Sequence, residues 1–361
     1  MSYAPVFKSH ACAFGEACEG SGNSVRYLFS NLYEWMLSDE IKEKTTFLGN
    51  SCNGISMVED SLNPENFRII KKLFEKNKPR VFYMQNYHPL NNYVANLARK
   101  NGCAFLYHVH EPYVPNKKVF GWFKRYWLYL FEFFQGELLK NTTTAIVSSH
   151  KASELFDLKY PQYLQKKVLI PLMFEDLGSS YQNLQEREYI TFIGPPVRSK
   201  NPEKFLEMVD FSNKRNMALK FLLISRWKIK ESSYIKENLE IFDKKNITDE
   251  IFGQLIGKSI AVVVPYRQDT QSSALLISYM YGTPVISSNT GGLPEFVRHK
   301  ETGYLLDCEA DVEDWVEGVL YVRQNFSRLS NNSRKYFEDN FSGKNWKKYL
   351  NLLNCRLGEE Y

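Results

Sequence analysis

The sequence predicts an α/β protein made of two doubly wound domains. Three observations carry this expectation. Short apolar runs alternate with longer amphipathic runs, which is the pattern of parallel strands joined by crossover helices. The alternation comes in two series, separated by the polar stretch EDLGSSYQNLQERE at residues 175–188. The length of 361 residues suits two domains of ordinary size rather than one.

In the first series, Thr45–Gly49, Arg80–Met84, Ala104–Val109 and Thr144–Ser148 read as buried strands. Between them, Pro64–Lys76, Leu90–Lys100 and Asn116–Leu139 carry helical spacing, with Asn63 as N-cap and Pro64 in the first turn. Upstream, VFKSHACAF is a poor strand by propensity, and VRYLFSNLYEWM after Ser24 reads as a helical run. The second series has strands at Tyr189–Ile193, Leu219–Ile224, Ser259–Val264 and Thr283–Ser287. Its helices fall near Asn201–Phe211, Thr248–Gly257, Ser272–Tyr281 and Ala310–Asn325. A last amphipathic helix at Asn345–Leu357 is expected to pack back on the first domain. The expected domains are therefore 1–180, 181–342 and the helix segment 343–361.

Composition narrows the function classes. Hydrophobic residues at 43% and charged residues at 24% describe a globular chain, not a disordered one. A net charge of +5 is too mild for a nucleic-acid footprint, so no nucleic-acid partner is expected. None of the six cysteines forms a C-x-x-C pair, which argues against a zinc site or a thioredoxin motif. With neither a signal-peptide pattern nor a run of about 18 uncharged apolar residues, the sequence reads as cytoplasmic.

Two junctions could carry chemistry. The run IAVVVP ends in the loop PYRQDTQ, and Ser272 and Ser273 then open a helical run. At the carboxyl end of a parallel strand, the next helix presents free N–H groups and a positive dipole end, which favour phosphate. The second junction is Gly194-Pro195-Pro196-Val197-Arg198-Ser199-Lys200-Asn201. It places Arg198 and Lys200 at another strand end, where cations can neutralise a diphosphate. Taken alone, each junction also suits an ordinary turn with solvated charges.

Together, YITFIGPPVRSKNPEKFLEM and Ser259–Leu306 resemble the nucleotide-sugar-dependent glycosyltransferases of family 4. The most specific residues are Gly282-Thr283-Pro284-Val285-Ile286, then Gly291-Gly292-Leu293-Pro294-Glu295, then Thr302-Gly303-Tyr304-Leu305-Leu306. They stand where the family reads G-x-P-V-I, G-G-x-P-E and T-G-x-L. The resemblance covers most of residues 189–345 and implies the GT-B architecture, two Rossmann-like domains facing a cleft. It implies donor-binding roles for Arg198, Lys200, Gln271, Ser272, Ser273, Gly292 and Glu295, and for Gly22 in the glycine-rich loop GSGNS, which also reads as a plain helix N-cap region. It implies catalytic roles for His110, Glu111 and Asp269. There are departures. The family's two spaced glutamates fall on Asp269 and Ile277, and its loop arginine is Pro195, while the lysine is kept as Lys200.

His108 and His110 share one face of a strand end by period two. With Glu111 they could ligate a metal, but no further ligand cluster follows, so no metal and no cofactor are expected. The aromatic and basic run Asn116–Phe134 reads either as a core helix or as a helix lying in a membrane interface. The function implied is a retaining transfer of a hexosyl group from a nucleotide-diphospho-sugar to a saccharide or lipid-linked acceptor. Surface polysaccharide synthesis at the inner face of the plasma membrane is its expected setting. The alternatives are a catalytically weakened partner or scaffold protein and a nucleotide-sugar epimerase.

Overall fold

The computed structural model describes residues 27–30, 45–48, 67–68, 71–72, 75, 81–84, 90–115, 117, 121–178, 187–195, 197–225, 237–242, 247–346, 348–349 and 352–353. The chain divides into two compact units, 176–342 and the combination of 1–175 with 343–361. Gly22 lies outside the described residues, as does VFKSHACAF.

Among the described residues, the first unit carries a six-stranded, all-parallel sheet. Its strands are β1 (Tyr27–Ser30), β2 (Thr45–Leu48), β3 (Val81–Met84), β4 (Ala104–His108), β5 (Thr144–Val147) and β6 (Lys167–Leu169), in the order β2-β1-β3-β4-β5-β6. The helices α1 (Leu90–Lys100), α2 (Trp122–Lys140) and α3 (His150–Lys159) belong to the same unit. One expectation fails here. Tyr27–Ser30 is not helical but a strand between β2 and β3. Short apolar runs rich in aromatics fit either state by pattern, and pairing on both edges decides for the strand. The helix expected from Asn116 is also seen only from Trp122. The core gathers Phe105, Tyr107, Val109, Leu138, Leu139, Ala145, Val147 and Phe156.

The second unit repeats the architecture. Its strands are β7 (Tyr189–Ile193), β8 (Lys220–Ile224), β9 (Leu239–Phe242), β10 (Ser259–Val264), β11 (Val285–Ser288) and β12 (Gly303–Leu306). They run parallel in the order β12-β11-β10-β7-β8-β9. Helices α4 (Pro202–Lys214), α5 (Asp249–Gly257), α6 (Ser273–Met280), α7 (Val312–Gln324) and α8 (Phe326–Asn340) complete it. β10 is buried along its whole length, as a central parallel strand covered on both faces must be. Burying each of its valines stabilises the unit by about 1.5–3 kcal/mol. Every residue of α6 after Ser273 is buried, which explains why that run shows no amphipathic stripe.

Two arginines pin this unit's edges. Arg334 grips Asp176 with both ends of its guanidinium and also donates to the Met280 carbonyl at 2.6 Å. Arg187 donates to Ser259 O (3.0 Å), Thr283 Oγ1 (2.7 Å) and Tyr281 O (2.8 Å). Burial lowers the Arg187 pKa to about 10, still high enough to keep its charge at neutral pH.

Candidate functional site

The strand order of the second unit reverses between β7 and β10, so the loops leaving these two strands diverge and open a crevice at their carboxyl ends. Loop 194–201 leaves β7 through a single 3-10 turn, Arg198–Lys200, and enters α4 after Asn201, whose backbone is left-handed (φ 50°). Loop 265–272 leaves β10 and ends at Ser272, the N-cap of α6. The Arg267 N–H donates to Ser199 O at 2.9 Å and joins the two loops.

Tyr266 is the floor of this junction. It is 1% exposed. Its hydroxyl donates to Ile193 O at the end of β7 (3.2 Å), and its carbonyl accepts from Ser288 Oγ at the end of β11 (2.6 Å). Burial above all, and then the Asp269 charge, push its phenol pKa well up, against a hydrogen bond with Ser272, so it stays neutral. Lys200 Nζ lies 3.9 Å above the ring centroid and pairs with Asp269 Oδ2. The Thr270 N–H donates to the other carboxylate oxygen at 3.1 Å. A ring face below and a carboxylate beside it fix the ammonium. The Lys200 side chain keeps 21% of its exposure, against 8% for Asp269, so the cation is the accessible partner.

The Gly-Gly corner locks this arrangement from behind. Gly291 has φ +61°, and a Cβ there would fall 2.0 Å from the Asp269 carbonyl oxygen. The Gly292 N–H donates to the same oxygen at 3.0 Å. Gly292 thus holds the Asp269 loop through its own amide. Glu295 closes the following 3-10 turn, Leu293–Glu295, and is half-buried.

The structure therefore gathers Lys200, Asp269, Ser272 and Gly292 around Tyr266. Ser273 begins α6, and Gln271 is half-buried beside it. Arg198 is exposed on the turn that carries Lys200. Ile277 is 5% exposed in the middle of α6. The chemistry available is anion binding: a fixed ammonium with spare N–H donors next to a helix N-terminus. The residues that sequence reasoning missed are Tyr266, Ser288 and Asn201. An aromatic directly after a buried strand's terminal Pro265 was the signal for Tyr266. Asn201 is 1% exposed, and its side-chain oxygen has no hydrogen-bond partner.

The first unit carries its own constellation at the end of β4. His108 and His110 stack at 4.3 Å between ring centroids, 16° from parallel, as the period-two spacing implies. His108 is buried and its Nε2 is paired with Ser148 Oγ. His110 is half-buried and Glu111 exposed. The loop that follows is held from α2. Buried Glu132 accepts from the Val114 N–H (3.2 Å) and forms ion pairs with Lys117 (2.6 Å) and Lys159 (2.8 Å). Gln135 donates to Pro112 O at 2.8 Å and accepts from the Tyr107 hydroxyl at 2.7 Å. Among the described residues, no three His, Cys, Asp or Glu side chains group to hold a metal ion.

Comparison with known proteins covers both units. The family described as "Glycosyl transferases group 1" matches residues 187–325. A 67-residue stretch, 18% of the chain, is 39% identical to the alpha-1,3/1,6-mannosyltransferase ALG2 of Rhizomucor pusillus and spans 14% of that protein's length. Sucrose-phosphate synthase from Thermosynechococcus elongatus superposes with a TM-score of 0.68 at 16% identity, over 96% of this chain and 92% of that one. HepE from Anabaena, in complex with UDP-glucose, gives 0.68 at 11% identity, over 91% and 99%. These likenesses show a GT-B fold.

Proposed function

We propose that the chain, whose residues 187–325 match the family model of group 1 glycosyltransferases, is a divergent glycosyltransferase of that kind and transfers a hexosyl group from a nucleotide-diphospho-sugar with retention. The acceptor is a saccharide or a lipid-linked glycan, and the setting is surface glycan synthesis. The observation that carries this reading is the Lys200 ammonium, fixed by Asp269 over Tyr266 where the strand order reverses. As the donor's glycosidic bond breaks, negative charge collects on the leaving diphosphate. A preorganised cation and the α6 N-terminus meet that charge without reorganising at the moment of reaction. Asp269 serves first to aim Lys200, and its carboxylate also suits a donor-sugar hydroxyl. Arg198, Gln271, Ser272 and Ser273 supply further donors to the diphosphate, and Gly292 and Glu295 complete the donor pocket. His110 faces the transferred sugar and Glu111 the acceptor. The UDP-glucose held by HepE supports a nucleotide-diphosphate donor, and the ALG2 stretch supports a hexosyl group. Because protein cations answer the charge, the reaction requires no metal, and turnover is expected to persist in excess EDTA.

The test is a thermal-shift and calorimetric screen of nucleoside diphosphates and nucleotide sugars. A ligand of the native state raises the unfolding midpoint as its concentration exceeds Kd. Lys200→Ala is expected to weaken diphosphate binding more than tenfold, since a hydrogen bond to a charged group contributes about 1.5–3 kcal/mol. Equal affinity for wild type and variant refutes the placement. A second reading, a catalytically weakened partner protein, is favoured by buried Ile277, which falls where the family pattern that the sequence resembles has its second glutamate. Nucleotide binding with no transfer to any acceptor and no donor hydrolysis would select it.

A further inference from the structure

Helix α2 is built inside out. Its buried residues include Glu132 and Gln135, and its outward side chains are aromatic. Trp122 is 76% exposed, and Phe123, Tyr126, Trp127, Tyr129 and Phe133 are all more than half exposed. At about 100° per residue, these six fill an arc of about 160°, from Tyr129 round to Trp127. Arg125 stands just beyond the Tyr129 edge of that arc, and Lys124 just beyond the Trp127 edge. The acidic residues of the helix are already neutralised: Glu132 holds Lys117 and Lys159, and Glu137 pairs with Lys140 at 2.6 Å. A soluble helix normally gains stability by turning such a face to the core. Here only the last turns put Leu138 and Leu139 into the core, and the inward side before them is committed to the hydrogen bonds and ion pairs of Glu132 and Gln135 that hold the loop after β4.

We propose that the outward face of α2 docks onto an anionic lipid surface, lying parallel to it with the aromatic arc at the headgroup boundary. The chemistry fits that occupant. Trp and Tyr combine a flat apolar body with a polar N–H or O–H, which suits the interface between acyl chains and water. The two flanking cations are placed to reach back to phosphates while their stems cover apolar surface. Among the described residues no helix is long and apolar enough to cross a membrane, so attachment by this face is peripheral. The proposal holds whichever reaction the second unit performs, and its test uses neither nucleotide nor sugar.

The test is flotation of the full chain with large unilamellar vesicles, one set of phosphatidylcholine alone and one of phosphatidylcholine with phosphatidylglycerol, at low and high salt. The expected result is binding to the anionic set, weakened by salt, with Trp fluorescence shifted to shorter wavelength. Trp122→Ser with Trp127→Ser is expected to lower partitioning at least tenfold. Lys124→Glu with Arg125→Glu is expected to abolish the preference for the anionic set, since each basic residue near such a surface contributes about fivefold. Trp122, Lys124 and Trp127 are exposed and Arg125 is half-exposed, so circular dichroism and the thermal midpoint are expected to remain close to those of wild type. Absence of wild-type binding to anionic vesicles at low salt overturns the proposal. So does equal binding to both sets, or sedimentation showing a dimer that the double Trp variant dissolves, which would assign the face to a second copy.

Discussion

At Gly291 a single missing methyl group decides the geometry of the Lys200–Asp269 pair. Gly291→Ala places a Cβ 2.0 Å from the Asp269 carbonyl oxygen at a left-handed backbone position. The loop must move, and the variant is expected to lose about 2 kcal/mol or more of stability in urea denaturation, together with diphosphate affinity. His299 supplies a pH signature. Its Nδ1 accepts the Leu305 N–H at 3.1 Å, which requires the neutral ring, and burial first and the Lys300 charge second lower its pKa from the usual 6.5. The unfolded chain therefore binds this proton more readily than the native state. Stability is expected to be level above about pH 7 and to fall as pH drops through about 6.5 towards the lowered native value. His299→Phe should flatten that part of a urea-midpoint titration, and an unchanged slope would exclude this histidine as the cause.

Among the elements, legibility followed burial and pattern. Tyr189–Ile193 and Ser259–Val264 were readable residue for residue, because both are bounded runs buried on both faces. Leu239–Phe242 was not, since LEIF is short, carries a charge and pairs at the sheet edge. Phe326–Asn340 was hidden because the helical pattern runs on from Gln324 with Asn325 the single junction residue. The sequence placed Lys200 and Asp269 at neighbouring strand ends. It held no sign that they pair with each other over Tyr266, which depends on how two loops 69 residues apart fold. Arg187 was equally silent. It stands in a polar stretch, yet it satisfies a carbonyl beside β10 and two groups beside β11. Arg187→Ala takes these donors away, Thr283 Oγ1 keeping its bond to Ile256 O, and is expected to cost about 1–3 kcal/mol in the second unit, read as a lower denaturant midpoint.

Across the whole molecule, the first unit is assembled from both ends of the chain. Trp346 is fully buried, Leu353 is 2% exposed, and the Gly343 N–H donates to Phe174 O at 2.7 Å. Removing residues 343–361 is therefore expected to destabilise the first unit by several kcal/mol, since loss of one buried Trp side chain alone costs about 3–5 kcal/mol. The second unit keeps its own core. Its nucleotide-dependent thermal shift should survive the truncation, and loss of that shift would show that the segment supports the second unit instead.

That arrangement has a consequence for synthesis. Domains usually fold in the order in which they leave the ribosome. Here residues 176–342 are finished before the unit that begins ahead of them, and the socket for Trp346 stays open until the segment from residue 343 onward emerges. A nascent chain that had emerged only to about residue 345 would display a finished second unit beside an unfinished first one.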